Sequence, residues 1–147
     1  MISKLYPLRD YYNLTFGLFD YLKAPALLFA RLYIGWVFFK SGLTKIDDWE
    51  STLMLFEYEY MVPVLSFESA AYLATIGELV LPILLFVGLG TRFAASGITV
   101  INIVAVIAYV DISVASLNMH IVWGLGLLAL MILGGGYLSL DKKLKVS

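Results

Sequence analysis

The sequence predicts an all-α fold, a polytopic membrane four-helix bundle with interfacial amphipathic segments. Three observations carry that prediction. The 147 residues are 61% hydrophobic and only 14% charged, with a mean hydropathy of +0.89, whereas a soluble domain needs nearer ~25% charged residues to present a polar skin to water. Four apolar stretches recur, each close to the ~20 residues that cross a hydrocarbon core of ~30 Å. The lysines and arginines fall asymmetrically about those stretches, as they do in proteins that alternate across a bilayer.

The first span runs over about residues 24–41, interrupted by Arg31 and Lys40. The second covers about 69–89 with Glu78 as its only charge, the third about 93–110, and the fourth about 121–140; the last two hold no charged residue. Buried helices of a soluble protein would be the other explanation, but four such stretches leave too little chain to wrap them. Ahead of the first span, Tyr12, Phe16, Phe19 and Lys23 recur at spacings of four and three, the pattern of a helix lying along the membrane surface. Asp10 and Asp20, and the lack of an apolar core before a small-residue cleavage site, argue against a removable signal peptide. After the first span, Trp49, Leu53, Phe56 and Tyr60 share one helical face, Glu50 and Glu57 another, and Pro63 ends the pattern. This segment reads either as a membrane anchor or as a lid over a binding site. The organisation is therefore an amphipathic segment over 1–23, a four-helix domain over 24–141 and a basic tail over 142–147.

Lys4, Arg9 and Lys23 precede the first span, Arg92 lies between the second and third, and Lys142, Lys143 and Lys145 follow the fourth. If the spans alternate, all of these lie on one side. The other side has Lys45 and the acidic residues Asp47, Asp48, Glu50, Glu57, Glu59 and Glu68. Positive charge concentrates on cytoplasmic loops, so both termini are expected in the cytoplasm and the acidic loop outside.

Composition also excludes. A net charge of -1 gives no basic field for nucleic acid. With no cysteine and one histidine, the chain lacks disulfides, thiolate chemistry and the usual ligand set of a transition metal, so no metal site is expected.

Function must then lie in the polar groups within the membrane, which are costly to bury and need partners. Counting ~1.5 Å per residue from the cytoplasmic ends places Arg31 about a third of the way up its span and Glu78 and Asn102 near mid-depth. The expected arrangement is an Arg31 to Glu78 ion pair with Asn102 supplying amide contacts. Gly35, Phe38, Gly42 and Lys45 share the Arg31 face, and glycine there admits another helix or a flat ligand. Two readings stand: a pair that fixes helix register alone, or the polar anchor of an apolar pocket for a quinone head group or similar amphiphile. Toward the outer surface, Lys40, Lys45, Asp111, Asn118, His120 and Trp123 form a second constellation, with His120 expected at the start of the fourth helix. His120 can exchange a proton near neutral pH and so is the candidate catalytic residue; an interfacial histidine satisfied by water is the alternative.

These residues also carry a family resemblance. Ala30-Arg31-Leu32-Tyr33-Ile34-Gly35 followed by Lys40-Ser41-Gly42-Leu43-Thr44-Lys45, then Gly77-Glu78 with Gly88-Leu89-Gly90-Thr91-Arg92, and finally Gly134-Gly135-Gly136 before Ser139-Leu140-Asp141 resemble the signatures of the DoxX-like family of small four-helix membrane proteins. Gly135 stands where that family often has proline. The resemblance covers about residues 24–141. It implies a multi-pass protein of the bacterial inner (plasma) membrane, with relatives in quinone-linked thiosulfate oxidation, oxidative-stress complexes and metal-responsive peptide modification.

The expected function is an integral membrane subunit of a redox system, interacting with quinone in an intramembrane pocket. Arg31, Gly35, Lys45, Glu78, Asn102 and Trp123 are the candidate quinone-binding residues, and His120 the proton donor. The alternative is a non-enzymatic membrane scaffold that recruits a partner protein or a second copy through the acidic loop or the basic tail. Whether the chain has activity alone stays open. Without cysteine, a metal-cluster motif or a nucleotide fingerprint in the sequence, any redox cofactor is expected to be a diffusible quinone or to belong to a partner, with none bound covalently.

Overall fold

The computed structural model describes residues 6–146, with side chains from Thr15 onward apart from those of Leu18 and Asp20. Lys4 and the side chains of Arg9, Asp10, Tyr12 and Asp20, which enter the charge and periodicity arguments above, lie outside the described residues. The helices are α1 (Tyr6–Asp47), α2 (Trp49–Tyr58), α3 (Phe67–Val87), α4 (Thr91–Ala108), α5 (Val114–Leu133) and α6 (Leu140–Lys143). Among the described residues no strand forms, and four helices are long and apolar enough to cross a membrane. The chain is an all-α, multi-pass membrane bundle whose outer faces contact lipid.

Around the bundle α1 packs on α3, α3 on α4, α4 on α5, and α5 returns to α1. Apolar burial does not drive helices together in lipid, so close approach through small residues has to. Ala94 and Ala95 are fully buried, and a Cβ on Gly42 would stand 2.9 Å from Leu79. The core joins Leu27, Ile34, Phe38, Leu85, Ile98, Leu127 and Leu130.

Each helix boundary has a chemical cause. The side chains of Asp48, Ser66, Ser113 and Ser139 each accept an N–H at the start of α2, α3, α5 and α6, satisfying donors that a helix leaves orphaned. Val87 is followed by Gly88 at φ +69°, a left-handed cap that glycine adopts without strain.

Three sequence expectations shift. The amphipathic segment of residues 6–23 is continuous with the first span in one 42-residue helix, because Pro25 has a helical φ and interrupts only one backbone bond. The fourth span begins at Val114 and ends at Leu133, seven residues before the apolar run does. Ser113 caps it early, and Gly134 at φ +72° ends it. His120 therefore lies about two turns inside α5 and not at its start. The segment after Asp48 forms α2 as its periodicity suggests, with Phe56 buried and Trp49, Leu53 and Tyr60 packed around Ala70 and Ala71 of α3, while Glu50 and Glu57 are exposed.

Candidate functional site

α1 and α3 run antiparallel in a register fixed by Gly35 against Phe86, Gly42 against Leu79, and Lys45 beside Glu78. In that register Arg31 comes level with Gly88, ten residues from Glu78 along α3, which is about 15 Å of helix. The expected Arg31 to Glu78 pair is therefore excluded. Depth counted from the edges of hydropathy windows misplaced it, because α1 extends well past the end of α3 and its apolar run does not mark the bilayer.

Glu78 pairs instead with Lys45, whose ammonium lies 2.7 Å from Oε2 and donates also to Ser41 Oγ at 2.9 Å. Both side chains are largely buried, at 14% and 8% exposed. Lys45 sits in the last turn of α1, where a cation is favoured by the helix dipole. Thr52 of α2 donates to the Lys45 carbonyl at 2.9 Å, tying α2 to the pair. Pro82 lacks the N–H that would bond the Glu78 carbonyl, so that oxygen is without its helical partner.

The pair forms the floor of a cavity of about 220 Å³. Leu73, Ala74 and Glu78 of α3 line one wall, Val100, Val104 and Ala105 of α4 the other, and Phe56 and Tyr60 from the α2 segment roof it. Met61 N–H donates to the Ala108 carbonyl at 2.9 Å, and the Tyr60 and Tyr109 rings lie 5.3 Å apart, so the roof is fastened to the end of α4. Burial pushes the Tyr60 phenol above its ordinary pKa, and the charge of Glu78 adds to the shift. It is a neutral hydroxyl at physiological pH. The sequence leads to an apolar pocket holding Lys45 and Glu78 and to a lid over a site as one reading of the Phe56 and Tyr60 segment, but not to the walls, which α3 and α4 supply. The signal that was present is the Ser41 and Lys45 spacing, which puts a cation and its hydroxyl acceptor on one face.

The remaining candidates gather elsewhere. Asn102 is buried; its Nδ2 donates to the His120 carbonyl at 3.0 Å and its Oδ1 lies 2.8 Å from His120 Nδ1. The His120 and Trp123 rings meet edge-on at 5.0 Å, and Trp123 meets Phe38 likewise at 5.9 Å. Trp123 Nε1 is buried without a hydrogen-bond partner. Neither His120 nor Asn102 lines the cavity. Lys40, Asp111 and Asn118 are exposed, so the outer constellation divides. Gly35 receives Phe86 of α3, the closely packed helix that its lack of a side chain allows.

Arg31 belongs to the opposite end of the bundle. It is 1% exposed, and its Nη2 donates to the Leu138 carbonyl at 2.6 Å, while Nε and Nη1 are buried without partners. Beside it, the Asp141 carboxylate accepts from Gly90 N–H at 2.6 Å and Thr91 N–H at 2.8 Å, and Asp141 N–H donates to the Gly88 carbonyl at 2.9 Å. Asp141 thus caps α4 from 50 residues away. Burial raises its pKa, but the Thr91 and Gly90 donors and the charge of Arg31 outweigh that and hold it below the ordinary aspartate value. Among the described residues no group of three or more His, Cys, Asp or Glu side chains is placed to hold a metal.

A four-helix membrane bundle with one buried ion pair at the floor of an apolar cavity defines a class: small integral membrane proteins with an intramembrane pocket. Compared with protein-family models, residues 26–111 match DoxX, and the chain belongs to the DoxX family. The matched segment takes in Arg31, Lys45, Glu78 and the Gly88 to Arg92 turn. Comparison with curated proteins finds no match, and neither does comparison with solved structures.

Proposed function

We propose that this protein is the membrane subunit of a redox system and holds a quinone head group above the Lys45 and Glu78 pair, with the tail reaching lipid between α3 and α4. The observation that carries the reading is that pair, placed at the floor of an otherwise apolar cavity. At about 220 Å³ the cavity is smaller than the ~300–1,000 Å³ that enclose drug-sized ligands, so it suits a single ring whose chain stays outside. Leu73 and Val100, 60% and 61% exposed, open the walls to lipid.

A quinone supplies two-electron, two-proton redox chemistry when bound. The protein's own groups bind and orient: Lys45 has a third N–H to offer a carbonyl oxygen, Glu78 accepts from a hydroxyl, and Tyr60 can do either. Arg31, Gly35, Asn102 and Trp123, expected to join this site, stand outside its lining. We further propose His120 as proton donor from the Asn102 and Trp123 cluster, a role that from outside the lining requires a bridging water. With the partner enzyme present, His120→Ala should then lower quinone-coupled turnover about 10²-fold; unchanged turnover removes it from the mechanism.

The proposed setting is a bacterial inner membrane with both termini cytoplasmic, consistent with the exposed Arg92, Lys142, Lys143 and Lys145 at one end. The scaffold reading is favoured by a different observation: Asp47, Glu50, Glu57, Glu59 and Glu68 are all exposed around α2, a surface suited to a basic partner. Purification in mild detergent, followed by extraction and mass analysis, separates the two. Quinone should accompany the parent and be depleted from Lys45→Met. A parent free of quinone that retains a protein partner supports the scaffold instead.

A further inference from the structure

Every polar group lining the cavity lies at its floor or toward the α2 end. Gly77 against Ile101, and Gly97 against Leu81, set the register of α3 and α4, so that Val100 comes level with Glu78. Glu78, Lys45 and Val100 are the deepest lining residues. Above them the cavity rises past Ala74 and Ala105 and, beside the Phe56 and Tyr60 roof, reaches Val62 and the exposed Leu65, which lie in the loop beyond the spans. From Glu78 to the start of α3 is eleven residues, about 16 Å.

Below the floor the bundle is filled. Leu85, Ala94, Ala95, Ile98 and Leu130 are fully buried there, and apolar side chains offer water none of the two to four polar partners it needs. Beyond that core the chain closes the α6 end itself. Arg31 holds the Leu138 carbonyl, Asp141 holds the Gly90 and Thr91 N–H groups, and Gly136 rests against Leu27.

We infer that the Lys45 and Glu78 floor communicates with water on one side of the membrane only, the α2 side, and that the α6 end is a permanent seal. The functional meaning rests on the ligand reading above: protons taken up or released by a head group in this cavity are exchanged with the α2-side compartment alone. The access itself depends only on the packing. A chain with no cysteine permits a direct test.

Single cysteines are placed at Ala74 and, as an independent cavity position, Ala105, in the full chain reconstituted into sealed vesicles. Glu57→Cys on α2 and Lys143→Cys on α6, both at exposed positions, identify the two sides. A membrane-impermeant charged thiol reagent is then added from one side at a time. Its reaction requires a hydrated thiolate. Ala74→Cys and Ala105→Cys should react at least tenfold faster from the Glu57 side than from the Lys143 side, and Ile98→Cys, below the floor, from neither. Equal rates from the two sides, faster reaction from the Lys143 side, no reaction at either cavity position, or labelling of Ile98→Cys would each overturn the inference. Labelling from the α2 side in a protein that carries no quinone would refute the ligand reading and leave the access intact.

Discussion

At the α6 end of the bundle the buried charges are committed to backbone. Arg31 binds a carbonyl and Asp141 binds two N–H groups, and together they draw the chain after α5 across the ends of α1, α3 and α4. At the α2 end the buried charges are committed to each other, and Lys45 and Glu78 meet at the floor of a space that the fold leaves open. Arg31 Nε and Nη1 remain without partners, but they are buried within the closed end and do not line the cavity. A side-chain pair facing a cavity retains donors and acceptors for something else. A cation and a carboxylate therefore close the chain at one end and, in the proposed function, bind a ligand at the other.

The largest effects should come from the ion pair. Glu78→Gln leaves the Lys45 ammonium buried without its counter-charge, a loss of about 3–5 kcal/mol where desolvation is complete. Thermal unfolding in detergent should show Lys45→Met with Glu78→Leu to be milder than Glu78→Gln alone. Arg31→Leu and Glu78→Gln, at opposite ends, should add to within about 0.5 kcal/mol. Strong coupling between Arg31 and Glu78, or none between Lys45 and Glu78, would break the division.

A smaller effect is expected at the seal. Gly88→Ala places a Cβ at positive φ against the Arg31 guanidinium, costing roughly 2 kcal/mol from the backbone alone. It should lower thermal stability while leaving quinone content unchanged; parallel loss of both would mean that the ends are not independent.

Asp141→Asn keeps one acceptor oxygen but turns an amide NH2 toward the second backbone N–H, which should cost about 1–3 kcal/mol for the donor left unsatisfied, with a defined pH dependence. The folded-state pKa of Asp141 is lowered, so its contribution is fully present above the ordinary aspartate value of about 3.9. That contribution disappears as pH falls through the lower folded value. The stability gap between parent and variant should accordingly be constant near neutrality and narrow below pH ~4. A gap that widens in acid would show the sign to be wrong. Asp48→Ala, which removes only the exposed cap of α2, should have the smallest effect, seen as faster hydrogen exchange in α2 with little change in the midpoint of unfolding.

Much of the architecture was legible because each feature is local. The four spans follow from apolar runs, α2 from the spacing of Trp49, Leu53, Phe56 and Tyr60, and the α3 to α4 turn from Gly88 and Gly90. The partner of Glu78 was not legible, since it depends on how far α1 slides along α3, and Lys45 and Arg31 differ by about 21 Å of helix. His120 was read as a boundary residue because polar Asn118 and His120 look like loop when the Ser113 cap is overlooked. Asp141 stood inside a recognisable Ser-Leu-Asp segment, yet its role as the cap of α4 requires knowing that α5 returns the chain to that end. Gly35 and Gly42 mark close approach by a helix or by a flat ligand, and only packing shows that side chains of α3 fill both.

The most direct measurement is to photolabel the protein in its membrane with a photoreactive short-tailed quinone and to map the modified residues by mass spectrometry. The α2-end cavity predicts adducts on residues 56–65, 73–78 and 100–105, lost when excess unlabelled quinone competes and reduced at least tenfold in Glu78→Gln. Competable adducts clustered instead near Arg31 and Leu138, or around His120 and Trp123, would contradict the placement of the site on the Lys45 and Glu78 pair.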